Sequence, residues 1–273
     1  IQDIADYVGD SLGLSIQASQ TDADVIVFCG VHFMAETAKI LSPQKRVLLP
    51  DKEAGCPMAD MINADQLRTL KAAHPRAKVL CYVNTSAEVK AQCDFCCTSS
   101  NAVKIAREAF LPEEEVIFVP DKYLAHYVSA QAGREFIIWK GFCPTHARIL
   151  PKAILEQKRL HPKAKVIVHP ECRPEVIALA DKVLSTSGMG KYVNEDEAEE
   201  FIVGTEIGIL HKLQKENPAK TFYRTSEMAI CPNMKRTTLE KVLWSLEEMT
   251  FEIEVPPEIM ARARGSIRKM LDF

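Results

Sequence analysis

No stretch of this chain approaches the ~18 consecutive apolar residues that a membrane-spanning helix needs. Its opening, IQDIADYVGD, lacks both the basic end and the apolar stretch of a secretory signal, so a soluble cytoplasmic protein is expected. Charge of one sign is not in excess: 34 Lys and Arg stand against 37 Asp and Glu, for a formal net charge of -3. A weakly acidic surface without a basic field argues against nucleic acid and anionic membrane as main partners and favours small-molecule ligands. An even cysteine count is missing too. Nine cysteines do not make a disulfide framework in a chain of this kind, which leaves reduced thiols or metal thiolates.

What is present is ordinary globular material: 273 residues, 47% apolar and 26% charged, enough for one large core or several small ones. The strongest signal is an internal repeat. HPRAKVLCYVN (74–84) recurs as HPKAKVIVHPE (161–171) at a shift of 87 residues, each reading as a turn followed by a buried strand. ADYVGDS, CDFCCTS and ADKVLST place Asp6, Asp94 and Asp181 at shifts of 88 and 87, each followed five residues later by Ser11, Ser99 or Thr186. VIVFCGVHFMAETAKIL, VIFVPDKYLAHYVSAQ and FIVGTEIGILHKLQKE then each show a β-rich apolar run, a turn and a helical period. RVLLPDKEAGC, FIIWKGFC and TFYRTSEMAIC close the units as strands ending on Cys56, Cys143 and Cys231.

Short strands alternating with helices build parallel sheets through right-handed crossovers. The expected fold is α/β: three homologous three-layer αβα sandwich domains with parallel sheets around a pseudo-threefold axis. Residues 1–56, 57–143 and 144–231 form the repeats. The tail 232–273, with two helical stretches around EIEVPP, is expected to pack on the first. The period also calls for a strand upstream of Ile1, equivalent to those carrying Tyr82 and His169.

Ligands in open α/β sheets collect beyond the carboxyl ends of the strands, so units facing one axis would bring Cys56, Cys143 and Cys231 into one pocket. No other cysteine trio keeps the period. Three thiolates satisfy one metal fewer than the usual four-cysteine cluster, and an iron left open can act as a Lewis acid. The C-x-x-C formed by Cys93 and Cys96 is a decoy, since it has no second pair and the repeat aligns it with apolar strand positions; Cys29, Cys81 and Cys172 likewise have no cysteine counterparts.

Ser11, Ser99, Ser185 and Thr186 stand where a strand is expected to give way to a helix, where free N–H groups attract phosphate or carboxylate, although a plain N-cap explains each one alone. Tyr82 with Asn84 and His169 with Glu171 are equivalent polar pairs at the tips of buried strands, and Glu171 is the candidate acid–base. His146, three residues after Cys143, either orients a ligand or caps the next helix.

Together GDS, GCPMAD, YVNTSAEVKA, CTSSNAV, PDKYLAHYV, GFCPTH, VIVHPEC, STSGM, GTEIGILHKL and MAICPNMK, in this order and nearly end to end, resemble the quinolinate synthases. The resemblance implies a three-domain fold around one 4Fe-4S cluster held by Cys56, Cys143 and Cys231. It also implies condensation of iminoaspartate with dihydroxyacetone phosphate to a pyridine dicarboxylate from which NAD is built. It gives Tyr82 and Asn84 the substrate carboxylate and intermediate, and Ser11, Ser99, Ser185 and Thr186 the hydroxyls around carboxylate or phosphate. His169 and Glu171 become the proton-transfer pair. An L-aspartate oxidase or aspartate dehydrogenase is the expected supplier of iminoaspartate. The family's His and Tyr from an AHNYQ-like strand would precede Ile1, and a chain without them is expected to be inactive even with its cluster. Two rival readings are an iron-sulfur sensor and an aldol-type lyase that binds zinc or no metal.

Overall fold

The structure, a computed structural model, describes residues 1–273. The first unit holds α1 (Ser11–Gln20), β1 (Val25–Val27), α2 (His32–Leu41) and β2 (Arg46–Leu48). The second holds a 3-10 turn (Ala59–Met61), α3 (Ala64–Ala73), β3 (Lys78–Tyr82), α4 (Ala87–Lys90), β4 (Phe95–Cys97), α5 (Ala102–Glu108), β5 (Val116–Val119), α6 (Lys122–Ala132) and β6 (Ile137–Ile138). In the third lie α7 (Pro144–Ala147), α8 (Pro151–Leu160), β7 (Lys165–Val168), α9 (Pro174–Ile177), β8 (Lys182–Val183), α10 (Thr186–Glu195), β9 (Glu200–Gly204), α11 (Ile209–Glu216) and β10 (Thr221–Arg224). The tail adds α12 (Leu239–Glu248) and α13 (Pro257–Leu271).

Every sheet is parallel. The second unit orders its strands β4-β3-β5-β6 and the third β8-β7-β9-β10, the same topology twice; β1 and β2 form a two-stranded sheet equivalent to β5-β6 and β9-β10. The central strands are buried on both faces, as Val116, Ile117, Phe118 and Val119 of β5 show, because helices cover a parallel sheet above and below. The fold is thus α/β, with three parallel sheets flanked by helices.

The repeat is written in hydrogen bonds as well as in apolar residues. Asp94 and Asp181 hold the start of the neighbouring first strand, accepting the N–H of Val79 at 2.8 Å and of Val166 at 2.7 Å. A cation before each closing strand reaches back to the end of the helix that leads into the adjoining strand, or to the turn after it: Lys45 donates to Ala23 O after α1, Arg134 to Phe110 O and Leu111 O after α5, and Lys220 to Val193 O in α10. A positive charge there meets carbonyls that have no partner within the helix.

Two sequence expectations change. ADYVGDS forms no strand: residues 5–8 pair with nothing, and Tyr7 and Val8 are exposed, because no strand lies beside them to take their N–H and C=O groups. Ser11 therefore follows an irregular extended segment and opens α1, with Asp10 as its cap. The closing strands also stop short of the cysteines. Seven residues separate β2 from Cys56, four separate β6 from Cys143 and six separate β10 from Cys231, so the thiols sit on loops that can bend inward.

The tail touches two units. Its segment around Glu252 pairs antiparallel with β2, with Ile253 donating to Val47 O at 2.8 Å and Leu49 to Phe251 O at 3.1 Å, which covers that sheet edge. Helix α13 buries Ala263, Ile267 and Met270 and lies against α2, α4 and β4. There the Ser266 hydroxyl donates to Lys90 O at 2.9 Å, and Arg264 donates to Ile40 O at 3.0 Å.

Candidate active site

The chemistry-bearing residues gather at the carboxyl ends of the strands. Tyr82 ends β3, Ser99 follows β4, Asp121 follows β5, His169 follows β7, Ser185 follows β8 and Thr205 follows β9. At the end of β7, Pro170 turns the chain and Cys172 donates its N–H back to His169 O at 3.0 Å, which aims Glu171 at the neighbouring unit. Pro144 opens α7 directly after Cys143, and one helical turn brings His146 back beside it.

Glu171 is the centre of this group. Its Oε1 accepts from the Tyr82 hydroxyl at 2.5 Å, across units 89 residues apart in sequence, and its Oε2 lies 2.9 Å from His146 Nδ1. Burial alone would raise the Glu171 pKa; the facing imidazoles and the hydrogen bonds from His146 and Tyr82 reverse this and hold it well below the usual carboxylate range. Of the two imidazoles, His146 is the closer, since His169 Nδ1 stands 3.9 Å away. Tyr82 keeps its proton, because burial and the Glu171 charge both push its pKa far up.

The two histidines are fixed in different ways. His169 Nδ1 accepts the Glu171 N–H at 3.3 Å, so Nε2 carries the proton and donates to Ser99 Oγ at 3.2 Å. Burial pushes its pKa down to about 4, and it is neutral at pH 7. His146 Nε2 meets Thr205 Oγ at 2.8 Å, while Nδ1 faces both Glu171 and, at 3.2 Å, Cys143 Sγ. A proton on Nδ1 is therefore shared between carboxylate and sulfur, with the Thr205 hydroxyl donating to Nε2. The two rings stack at 4.8 Å.

Hydrogen bonds tie the three cysteine loops together. Asn233 of the Cys231 loop donates to Gly55 O at 2.9 Å, and Trp139 Nε1, ahead of Cys143, donates to Met61 O at 2.9 Å. The Cys143 loop also needs Gly141, where a Cβ would stand 2.5 Å from Pro120 O. Burial pushes the Cys56 thiol up to about 12, with the Glu171 and Cys231 charges adding to it. Burial, Glu171 and Cys56 raise Cys143 well above the thiol range. Buried thiols that each make the other's ionisation more costly are a donor set in want of a cation, and a metal deprotonates the thiol it binds. The residues present therefore fit a metal group. Cys143, His146 and Glu171 form a second combination, with ligand atoms all within 4.8 Å of one another.

Beside His169 lies a hydroxyl cluster. Ser100 Oγ lies 3.0 Å from Asp10 Oδ2, to which it donates, and 3.1 Å from Ser185 Oγ, and Asp10 Oδ1 accepts the Gly13 N–H in the first turn of α1. Ser11, Ser99 and Ser185 thus stand on three loops that meet at Asp10 and Ser100. Thr186 is next to Ser185 but exposed, and Ser11 makes no side-chain hydrogen bond. Asn84 Oδ1 is buried with no donor facing it, an acceptor left for a ligand. Cys96 and Cys97 lie buried in β4, and Cys81 in β3 pairs in register with Cys96. Thr205, Asp10 and Ser100 were not singled out from sequence. Asp10 stood in GDS, next to Ser11, and was legible; Thr205 has no polar equivalent among the repeats and was not.

A parallel α/β scaffold that gathers a buried carboxylate, two imidazoles, a phenol and the Cys143 thiol beyond its strand ends defines an enzyme whose donor set can carry a metal cofactor. A family model described as "Quinolinate synthetase A protein" matches residues 1–272. The quinolinate synthase of Dehalococcoides mccartyi is 57% identical over 271 residues, covering 99% of this chain and 89% of that protein. The enzyme of Geotalea uraniireducens is 55% identical over 99% of this chain and 88% of its own length. Quinolinate synthase 1 of Methanosarcina acetivorans is 54% identical with the same coverage. The chain belongs to the quinolinate synthase family.

Proposed function

We propose that the protein condenses iminoaspartate with dihydroxyacetone phosphate to quinolinate in NAD biosynthesis, using a 4Fe-4S cluster held by Cys56, Cys143 and Cys231. Reactants and products balance as quinolinate, phosphate and water, so the condensation needs no external oxidant. The observation that carries the reading is the chain Tyr82–Glu171–His146 set against Cys143, in a family of this activity. When bound, a cluster with three protein thiolates supplies an open iron as a Lewis acid.

The protein's own groups account for orientation and proton transfer. Glu171, ionised and close to both a phenol and an imidazole, takes a proton from a substrate carbon or nitrogen and returns it to a leaving oxygen. Tyr82 stays protonated and donates a hydrogen bond. His169, neutral and with its Nε2 proton fixed by Glu171 N–H on the other nitrogen, presents a donor beside Ser99. Ser11, Ser99, Ser185 and Thr186, at the starts of helices or the turn before one, receive carboxylate or phosphate, with Asn84 as an additional partner for the substrate. Supply of unstable iminoaspartate falls to an L-aspartate oxidase or aspartate dehydrogenase working in the same compartment, the cytoplasm. No helix is long and apolar enough to cross a membrane.

The test is an anaerobic assay of the full-length protein for quinolinate, with iron and sulfide measured on the same sample. About four irons per chain together with product support the proposal. Zinc in place of iron, or product formed by metal-free protein, refutes it in favour of an aldol-type lyase. A loaded cluster that never turns over points instead to a sensor.

A further inference from the structure

The three units share a backbone device next to each cysteine. The first residue of the crossover helix or the turn before it donates its N–H to the carbonyl two residues ahead of the cysteine: His32 to Ala54 O at 2.8 Å, Lys122 to Gly141 O at 2.8 Å and Ile207 to Ala229 O at 3.0 Å. This makes Val31, Asp121 and Glu206 equivalent. Their side chains are not. Asp121 Oδ2 accepts the Cys143 N–H at 3.0 Å, and Glu206 Oε1 accepts the Cys231 N–H at 3.2 Å. Val31 offers Cys56 no acceptor, and the Cys56 amide donates to no side chain.

Both carboxylates are held by other partners while one oxygen reaches the cysteine. Asp121 is fully buried, and its Oδ1 alone caps α6 by accepting from Tyr123 and Leu124, each at 2.8 Å. Glu206 Oε2 accepts from Gly208 at 2.7 Å, and Oε1 also meets Lys235 Nζ at 3.0 Å. Capping of α6 uses only Asp121 Oδ1, so the contact of Oδ2 serves the cysteine loop, and Glu206 divides its oxygens between the turn at Gly208 and the Cys231 loop in the same way.

We infer that Asp121 and Glu206 are positioning residues that clamp the Cys143 and Cys231 amides and so fix where those two sulfurs can stand, leaving Cys56 as the loosely held arm. The inference rests on the three cysteines being the cluster ligands. A clamped amide limits rotation of the cysteine backbone, and sulfur is only two bonds from that backbone. Partners outside the ligand set typically change metal retention by roughly ten- to a hundredfold.

The experiment uses Asp121→Asn and Glu206→Met. Asn keeps an oxygen on the two capping N–H groups and turns an N–H₂ toward Cys143, which removes the clamp and spares the cap. Amide hydrogen exchange, resolved to single residues on the anaerobic apoprotein, should show Cys143 and Cys231 protected in the parent chain and Cys56 open. Each substitution should speed exchange at its own cysteine by roughly ten- to a hundredfold and leave the other arm unchanged. In reconstituted protein, both variants should lose iron to a ferrous chelator at least about tenfold faster than the parent. Unchanged exchange at Cys143 in Asp121→Asn, or equal acceleration throughout β5 and α6, overturns the clamp. A parent chain that takes up no iron removes the cluster reading and with it this role. Iron that is bound, and retained equally well by both variants, removes only the role of the two carboxylates.

Discussion

Replacing Glu171 by Gln deletes one buried negative charge while leaving the shape of the side chain. The amide oxygen can still accept from Tyr82, now through a neutral hydrogen bond, but its N–H₂ then faces His146 Nδ1, which stands 2.9 Å from Oε2 in the parent. His146 must answer by moving its proton to Nε2 and donating to Thr205, 2.8 Å away. A charge-assisted hydrogen bond is worth ~1.5–3 kcal/mol against ~0.5–1.5 for a neutral one. Relief from burying an ion offsets much of that difference, so folding stability should change by no more than about 2 kcal/mol. Proton transfer has no such compensation, and loss of a general acid–base costs about 10²–10⁴ in rate. The assay is quinolinate formed under anaerobic conditions by full-length protein matched for iron content, beside urea unfolding of the same samples. A variant with parental iron and turnover within about threefold of the parent would refute the assignment of Glu171 to proton transfer.

Cys56→Ser, Cys143→Ser or Cys231→Ser should each bleach the anaerobic protein and lower its iron, whereas Cys93→Ser and Cys96→Ser should keep it; retained colour in all three of the first set contradicts the ligand assignment. Thr205→Val leaves His146 Nε2 without its partner and frees the ring's tautomer, so turnover should fall about tenfold with the iron unchanged, and no change would show that Thr205 does not orient the ring. The folded His169 holds off its proton until about pH 4, whereas the unfolded imidazole titrates near 6.5. As pH falls through that window the unfolded state binds the proton first. Stability is therefore lost on acidification, on the order of 2–3 kcal/mol between pH 7 and 4.5. Urea unfolding at the two pH values should show this slope in the parent and not in His169→Gln; equal slopes would exclude the buried neutral imidazole.

The repeat was legible because its signals are local. Apolar runs at strand spacing, helical periods and the recurring Asp94 and Asp181 repeat within each unit, and those aspartates prove to bind the N–H of the adjoining strand. Asp6 carried the same signal without the same structure, since a strand needs a neighbour and residues 5–8 have none. The lengths of the closing strands were misread for a similar reason: the run from β10 to Cys231 contains Phe222 and Ile230 but bends at Ser226 to Ala229, where Ala229 donates to Ser226 O. Asp121 and Glu206 escaped notice because they differ in length and their third equivalent is Val31, so no residue type repeats.

The amino-acid sequence by itself determined the repeat, the donors and their spacing, since strand runs, helical periods and turn residues are local signals, whereas one core runs from the first unit through the second into the tail. Only the tertiary structure decided which donors meet. Tyr82 reaches Glu171 across two units, and the further links between those units, Ser99 to His169 and Ser100 to Ser185, are single hydrogen bonds between distant segments. Such bonds leave no period in the sequence, because one polar atom on one loop is enough to make each of them.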